Sequence, residues 1–405
     1  MPRFQPFRGV RYDARRVDLA QVTAPPYDVI DEAGRRDLAA RHQANVVALD
    51  LPEDSRVGAQ DRYHQAERLL ESWLAEGILR RDPPSFYVYR MDHQGPDGPR
   101  HTTGVLGALA LSHPGEGGIL PHEHTTPKAK SDRLNLLRAT RANLSAVWGL
   151  SPAPGLSELL DLGRPPAAAW SNDGVGHTLW LVEDPARVEA IAAAVGAHPV
   201  VIADGHHRYE TSLTYRDEQR AAGGGGTPGA ESVLAYVVEL ADDELDVQPI
   251  HRLIRGLPPG YDLLGSLLTY FEVTELDPDG DDPRHSDPDP TPRLTTLGAL
   301  GLVTDQGVWA LTPRSEPFAG VRDLDTSRLD LALASLPDHE LVFQHGVDNV
   351  VDQVRSGQAQ AGFLLRPATV AQIVEIAHGG ERMPPKTTFF APKPRTGVVL
   401  RLLDE

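Results

Sequence analysis

The chain has 405 residues, 40% hydrophobic and 24% charged, a composition that suits a folded globular protein with one large core or two moderate ones. A formal net charge of −18 opposes attraction to nucleic acid or anionic lipid, so the expected partner is a small molecule. The absence of cysteine excludes disulfides, thiol catalysis and thiolate metal sites, and no apolar run reaches signal-peptide or membrane-span length, which makes the cytoplasm the expected location.

In chain order, Thr23-Ala24-Pro25-Pro26-Tyr27-Asp28-Val29-Ile30 reads as an extended loop whose paired prolines hold Tyr27 and Asp28 in a stiff setting. Ala66, Leu69, Leu70, Trp73 and Leu74 then recur at helical spacing, with Gly77 as the stop and Trp73 as core. Phe86 to Tyr89 and Gly104 to Leu111 are predicted strands joined by a loop, Asp92 to Arg100. Past Gly117 and Gly118 comes a polar loop with His122, Glu123 and His124, leading through Lys128 and Lys130 to Ser131, the predicted cap of a helix that Asp132 and Arg133 open. The His-x-His spacing does not match the helical zinc motif; magnesium held jointly by a carboxylate and substrate phosphates suits this loop better.

A strand over His177 to Val182 and a helix from Pro185 to Ala194 lead into the stretch richest in chemistry, Pro199-Val200-Val201-Ile202-Ala203-Asp204-Gly205-His206-His207-Arg208-Tyr209-Glu210. Its unbroken apolar run predicts a strand buried on both faces, and a helix is predicted from Tyr209 to Arg220. Between them lie a carboxylate, a glycine free to turn, two imidazoles and a guanidinium, beside helix N–H groups that favour an anion. A capped turn with surface histidines is the plain alternative, and the density of donors and bases argues against it.

Gly223 to Gly229 reads as a linker and the acids Asp242 to Asp246 as a solvated loop. Pro249-Ile250-His251-Arg252 offers another His-Arg pair beside a strand. Asp277 to Arg293, rich in Asp and Pro, reads as a disordered loop or boundary. A hairpin follows around Asp305-Gln306-Gly307, then helices at Val347 to Val354 and Val370 to Ala377, separated by the strand Gly362 to Leu365. The predicted organisation is a mixed α/β region over 1–275, an acidic connection at 276–293, and a smaller α/β region over 294–405 whose last loop folds back over a site.

That loop runs from Pro384 through Lys386 to Lys393. Of 39 lysines and arginines only four are lysines, Lys128, Lys130, Lys386 and Lys393, and all lie in two short segments expected to be loops. Where arginine serves as the general cation, a retained lysine marks a place that needs a compact ammonium, such as a phosphate contact.

With these residues assembled, the chain resembles the domain of unknown function 1015 family. The matches are Ala24 to Ile30, Pro121-His122-Glu123 with Asp132-Arg133, Ala203 to Glu210, Pro249 to Arg252 and Met383 to Lys393. Asp204-Gly205-His206-His207-Arg208 after a strand is also similar to the signature of the ParB/sulfiredoxin-like superfamily, which includes free-serine kinases, nucleotide-hydrolysing partition proteins and sulfiredoxins. That resemblance implies a ParB/sulfiredoxin-like strand-turn-helix core within a larger mixed-sheet protein. It also implies phosphate on the backbone of Gly205 and His206 and on the side chains of His207 and Arg208, and a link to serine or phosphoserine. The sulfiredoxin cysteine is missing here, and DNA-binding helices are not evident.

The expected function is transfer of a phosphoryl group between a nucleotide, ATP or ADP, and a small hydroxylated metabolite, with serine the best single guess. Lys128, Lys130, Arg133, Lys386 and Lys393 would hold phosphates, Asp204 or Glu123 would act as base or Mg2+ ligand, and His206 or His207 would carry protons. Tyr27, Asp28, His122, Asp132, His251 and Arg252 are further site candidates. A phosphomonoester phosphatase and a non-enzymatic nucleotide sensor remain open as alternatives, and the oligomeric state is not legible. If the phosphotransfer reading is right, the lysines converge on the Gly205 turn.

Overall fold

The computed structural model describes all residues except 54–60, 96–97, 122–126, 223–227, 242–243, 277–288, 380–382, 385 and 405. Among the described residues thirteen α-helices and several sheets make this a mixed α/β protein, as its sequence predicts. None of these helices is long and apolar enough to cross a membrane.

The chain divides into two compact units. The first comprises Met1–Asp246, Val374–Arg382 and Phe390–Glu405, and the second Val247–Ile373 and Met383–Phe389. The division thus falls at Asp246 and Val247, ahead of the acidic stretch, most of which lies outside the described residues. The last sixteen residues return to the first unit.

The first unit is built on a nine-stranded sheet. Its order runs Ile119–Pro121, Val200–Asp204, Val147–Ser151, Ser232–Glu239, Gly98–Ala110, Phe86–Gly95, Val175–Val182 and Ala168–Asn172, and Phe4–Gln5 also pairs with Gly98–Ala110. Val200, Val201, Ile202 and Ala203 are all buried, so the apolar run is a strand covered on both faces. It pairs parallel to Ile119–Pro121 and antiparallel to Val147–Ser151, and the second register shifts between Ile202 and Asp204. Such an irregularity bends a strand and re-aims the side chain at its end, here Asp204.

Phe86, Val88, Val105, Val200, Ile202 and Val237 build a core against the helix Pro185–Gly196, through Ile191 and Val195. A smaller antiparallel sheet, Leu79–Arg81, Gly9–Tyr12, Leu400–Leu402 and Ala142–Asn143, carries a second core with the helix Asp61–Ala75. Trp73 is buried there, its ring centroid 6.1 Å from that of Tyr12, so it is core as expected.

Several boundaries differ from those read off the sequence. The predicted loop Asp92 to Arg100 is mostly strand: the two strands stay paired out to Gly95 and Gly98, because alternate residues bury against the sheet even where the sequence is polar. The helix predicted to start at Ser131 starts at Pro127, whose fixed φ suits a first helical position. Lys128 and Lys130 are therefore helical, not in a loop. Thr291–Leu297, at the end of the stretch read as disordered, is also a helix.

The second unit is a six-stranded antiparallel sheet in the order Phe271–Glu275, Gly307–Pro313, Leu300–Thr304, Ala361–Leu364, His251–Arg255, Glu340–Gln344. Leu263, Leu267, Leu329 and Leu333 cover one face, and Val350, Val354 and Leu294 cover the other. The hairpin around Asp305-Gln306 is present, with Thr304 paired to Gly307.

Glycines test the packing of the first unit. A Cβ added at Gly229 would lie 2.4 Å from the Leu403 carbonyl oxygen, a backbone atom that cannot swing aside. Gly229→Ala is expected to cost about 1–3 kcal/mol. Gly196→Ala, whose Cβ would be 3.4 Å from its nearest neighbour, is expected to be neutral or slightly stabilising. Thermal melts of the two variants check this, and equal Tm values would contradict the packing described.

Candidate functional site

The strand Val200–Asp204 ends on its only polar residue, and the next residue, Gly205, takes φ +87 at the helix N-cap position with no side-chain cap. Glycine accepts this left-handed conformation without strain. The helix His206–Ala221 therefore begins earlier than predicted, and His206, His207 and Arg208 are its first turn. Asp204 does not serve as an N-cap. Its carboxylate is used in ion pairs: Oδ1 lies 2.7 Å from Lys393 Nζ and Oδ2 lies 2.5 Å from an Arg208 nitrogen.

Lys393 makes a second ion pair, 2.6 Å from Asp28 Oδ2. One ammonium thus joins three parts of the chain: the Pro-Pro-Tyr-Asp turn, the end of the buried strand and the C-terminal segment. Burial pushes the Asp204 carboxyl upward, but the charges of Lys393 and Arg208 outweigh it and hold the group well below the usual carboxylate range. Burial likewise works against the charged form of Lys393, and Asp204 and Asp28 reverse the effect and raise its pKa. Arg208 also donates to the Ala146 carbonyl, which fixes its guanidinium beside the strand Val147–Ser151.

A second cluster adjoins the first. Arg133 stacks over the Tyr27 ring, 4.3 Å from its centroid, and donates to the Asp50 carbonyl at 2.8 Å and the Asp50 carboxylate at 3.0 Å. Its Nε and a terminal nitrogen donate to Asp132 at 2.9 and 2.6 Å, while the Tyr63 hydroxyl donates to the other Asp132 oxygen at 2.8 Å. Tyr27, Asp50, Arg133 and Arg208 line a cavity of about 50 Å³, together with Leu136, Leu144 and Val233. Asp50 was not singled out from the sequence. The available signal was a carboxylate closing the apolar run Val46-Val47-Ala48-Leu49, the same pattern that marks Asp204. Burial pushes its carboxyl up against the pull of Arg133 and Arg208.

Of the residues anticipated for a site, Tyr27, Asp28, Asp132, Arg133, Asp204, Gly205, Arg208 and Lys393 gather in this region of the first unit. His206 is buried beside Ile202, Tyr209 and Leu213, and His207 is partly exposed on the same first turn. The side chains of Lys128 and Lys130 lie outside the described residues, as do His122 and Glu123. Among the described residues no group of three or more His, Asp or Glu is arranged to hold a metal ion.

Lys386, His251 and Arg252 belong to the second unit. There the His251 Nδ1 accepts the Leu365 N–H at 3.1 Å, and burial pushes this imidazole down to about 4. Arg252 stacks on Phe343 and donates to the carbonyls of Ile250 and Lys386, at 2.6 and 3.0 Å. These contacts shape the unit itself. Lys386 has φ +60 and is exposed.

Because the folded-state pKa of Asp204 lies below its unfolded value near 3.9, its stabilisation is complete above about pH 5 and is lost as pH falls through the acid range. Asp204→Asn is expected to cost about 3 kcal/mol at pH 7, since it leaves Arg208 without its carboxylate and Lys393 with one of two. The difference from wild type should shrink towards pH 3. Chemical denaturation at the two pH values measures it, and a pH-independent difference would contradict the ion-paired state of Asp204.

A search of curated proteins finds no match. Similar solved structures include free serine kinase in complex with AMP, at 16% identity and TM-score 0.37, covering 68% of this chain and 84% of that one. A conserved hypothetical protein from Pyrococcus furiosus is similar at 15% identity and TM-score 0.37, over 70% and 90% of the two chains. SbnI with C-terminal truncation from Staphylococcus aureus is similar at 12% identity and TM-score 0.37, over 72% and 85%. Residues 4–331 match the family described as "Protein of unknown function (DUF1015)", so the chain belongs to that family.

Proposed function

We propose that this protein is a nucleotide-dependent phosphotransferase of the cytoplasm that acts on a small hydroxylated metabolite, and that free serine is its acceptor. The observation that carries the reading is the placement of Lys393, bridging Asp28 and Asp204 beside the first turn of the helix His206–Ala221. Phosphoryl transfer requires positioned cations, backbone donors and a base near the attacking hydroxyl, with little other chemistry from the protein. Lys393, Arg208 and the helix N–H groups supply the first two. The strand, glycine turn and helix have the order of the ParB/sulfiredoxin-like core that the sequence resembles.

The base is better assigned to Asp28 than to Asp204. Asp204 is held strongly ionised by two cations and is a weak proton acceptor, whereas among the described residues Asp28 forms its ion pair with the shared lysine and its side chain is 31% exposed. Asp28 would take the acceptor's hydroxyl proton as the oxygen attacks the terminal phosphorus and the nucleotide oxygen leaves with the bond electrons. Mg2+, held by the substrate phosphates with Asp204 or Glu123, would neutralise charge that cations already paired with carboxylates cannot. Serine as acceptor fits the charges here, since carboxylates can bind its ammonium and arginines its carboxylate.

Incubation with ATP or ADP, Mg2+ and a panel of hydroxylated metabolites, followed by 31P NMR, tests this. Phosphoserine and the matching nucleotide product are expected, with kcat lowered about 10²- to 10⁴-fold in Asp28→Asn and Tm little changed. Phosphate release from phosphoserine without nucleotide would favour the phosphatase. Nucleotide binding with no turnover of any acceptor would favour the sensor.

A further inference from the structure

We infer that Arg395 is a positioning residue: it fixes the segment carrying Lys393 against the segment carrying Asp28, and so sets where the ammonium is presented. The inference rests on the reading of Lys393 as the phosphate-binding group. In Pro392-Lys393-Pro394 both prolines fix their own φ and the second restricts Lys393 as well. A segment this stiff moves as a piece. Whatever anchors its end therefore decides where Lys393 Nζ sits.

The anchor is Arg395, two residues on. Its Nε donates to Thr23 Oγ1 at 3.3 Å and a terminal nitrogen donates to the Thr23 carbonyl at 3.1 Å. Its other terminal nitrogen donates to Asp173 at 3.0 Å, on the turn between the last two strands of the sheet. The Arg395 charge also acts on Tyr89, whose hydroxyl bonds His177 Nδ1 at 2.9 Å inside the sheet. The next residue pairs with the same arm: Thr396 N–H donates to Ala24 at 2.8 Å, and Ala24 N–H donates back at 3.2 Å. Thr23 and Ala24 lead through two prolines to Tyr27 and Asp28. The segment that carries the ammonium and the segment that carries one of its two partners, Asp28, are thus referred to one guanidinium.

The energetics favour a geometric role over a stabilising one. The Arg395 side chain is 6% exposed, while its carboxylate partner, Asp173, is 52% exposed. Burial lowers the Arg395 pKa, and Asp173 recovers only part of that cost. A buried guanidinium with so exposed a partner adds little net stability, and an apolar side chain would serve the fold as well. A fork that binds a threonine carbonyl, its hydroxyl and a carboxylate at once is what the site gains.

With only four lysines in the chain, amine acylation followed by peptide mass spectrometry reads the position of Lys393 directly. In the wild type, Lys393, 10% exposed and held between two carboxylates, should react about tenfold more slowly than exposed Lys386. In Arg395→Ala, Lys393 should speed up several-fold towards the Lys386 rate, with Lys386 unchanged. Arg395→Lys should restore part of the protection. Asp173→Asn, which keeps a residue tolerant of the φ +53 found there, should give a smaller rise. Protection undiminished in a folded Arg395→Ala overturns the inference. If that variant does not fold, wild-type protection in both Arg395→Lys and Asp173→Asn overturns it. Release of Lys393 without any change in nucleotide affinity would uphold Arg395 as positioning residue and count against Lys393 as phosphate ligand, so the two readings fail separately.

Discussion

One ammonium group organises this site. Lys393 comes from the C-terminal segment and lies between Asp28, from an N-terminal turn, and Asp204, from the end of a central strand. None of the three is near another in sequence, so the contact requires the nine-stranded sheet, the glycine turn and the return of Phe390–Glu405 to the first unit. The lysine also limits the cost of bringing the two carboxylates together, since two anions gathered on one site would otherwise repel. Asp204 has Arg208 as a second cation, which leaves Asp28 the more adaptable of the pair.

The second cluster repeats this arrangement one step away. Arg133 lies between Asp50 and Asp132 as Lys393 lies between Asp28 and Asp204. Tyr27 connects the two: its ring lies under Arg133, and the next residue is Asp28. Charge is close to balanced in both clusters. A polyanionic ligand would therefore have to displace carboxylates from their cations or arrive with a divalent cation, and this is the physical reason to expect magnesium with the nucleotide.

Much of this was legible in the sequence because the relevant residues break local rules. A lysine in a chain that otherwise uses arginine, a carboxylate closing a buried strand and a stiff proline turn before Tyr27-Asp28 each stand out without any structure. What could not be read was which of them meet. Lys393 reaches the Gly205 turn through contacts that span the whole chain, and no periodicity reports such a distance. His251 and Arg252 bond Leu365, Ile250 and Lys386, all within the second unit, a placement that their residue types alone do not report. Asp50 was missed because its helix, Val47–Asp50, is one short turn with no periodic signature. Helix starts at Pro185, Val347 and Val370 are legible, whereas Pro127 and Gly205 allow two helices to begin among polar residues that resemble a loop.

The most direct measurement is a crystal structure of the protein with ADP and Mg2+. The terminal phosphate is expected within hydrogen-bonding distance of Lys393 Nζ and of the backbone N–H groups that follow Gly205, with the lysine drawn away from at least one of its carboxylates. Nucleotide bound elsewhere, with Lys393 still closed between Asp28 and Asp204, would contradict the phosphotransfer site described.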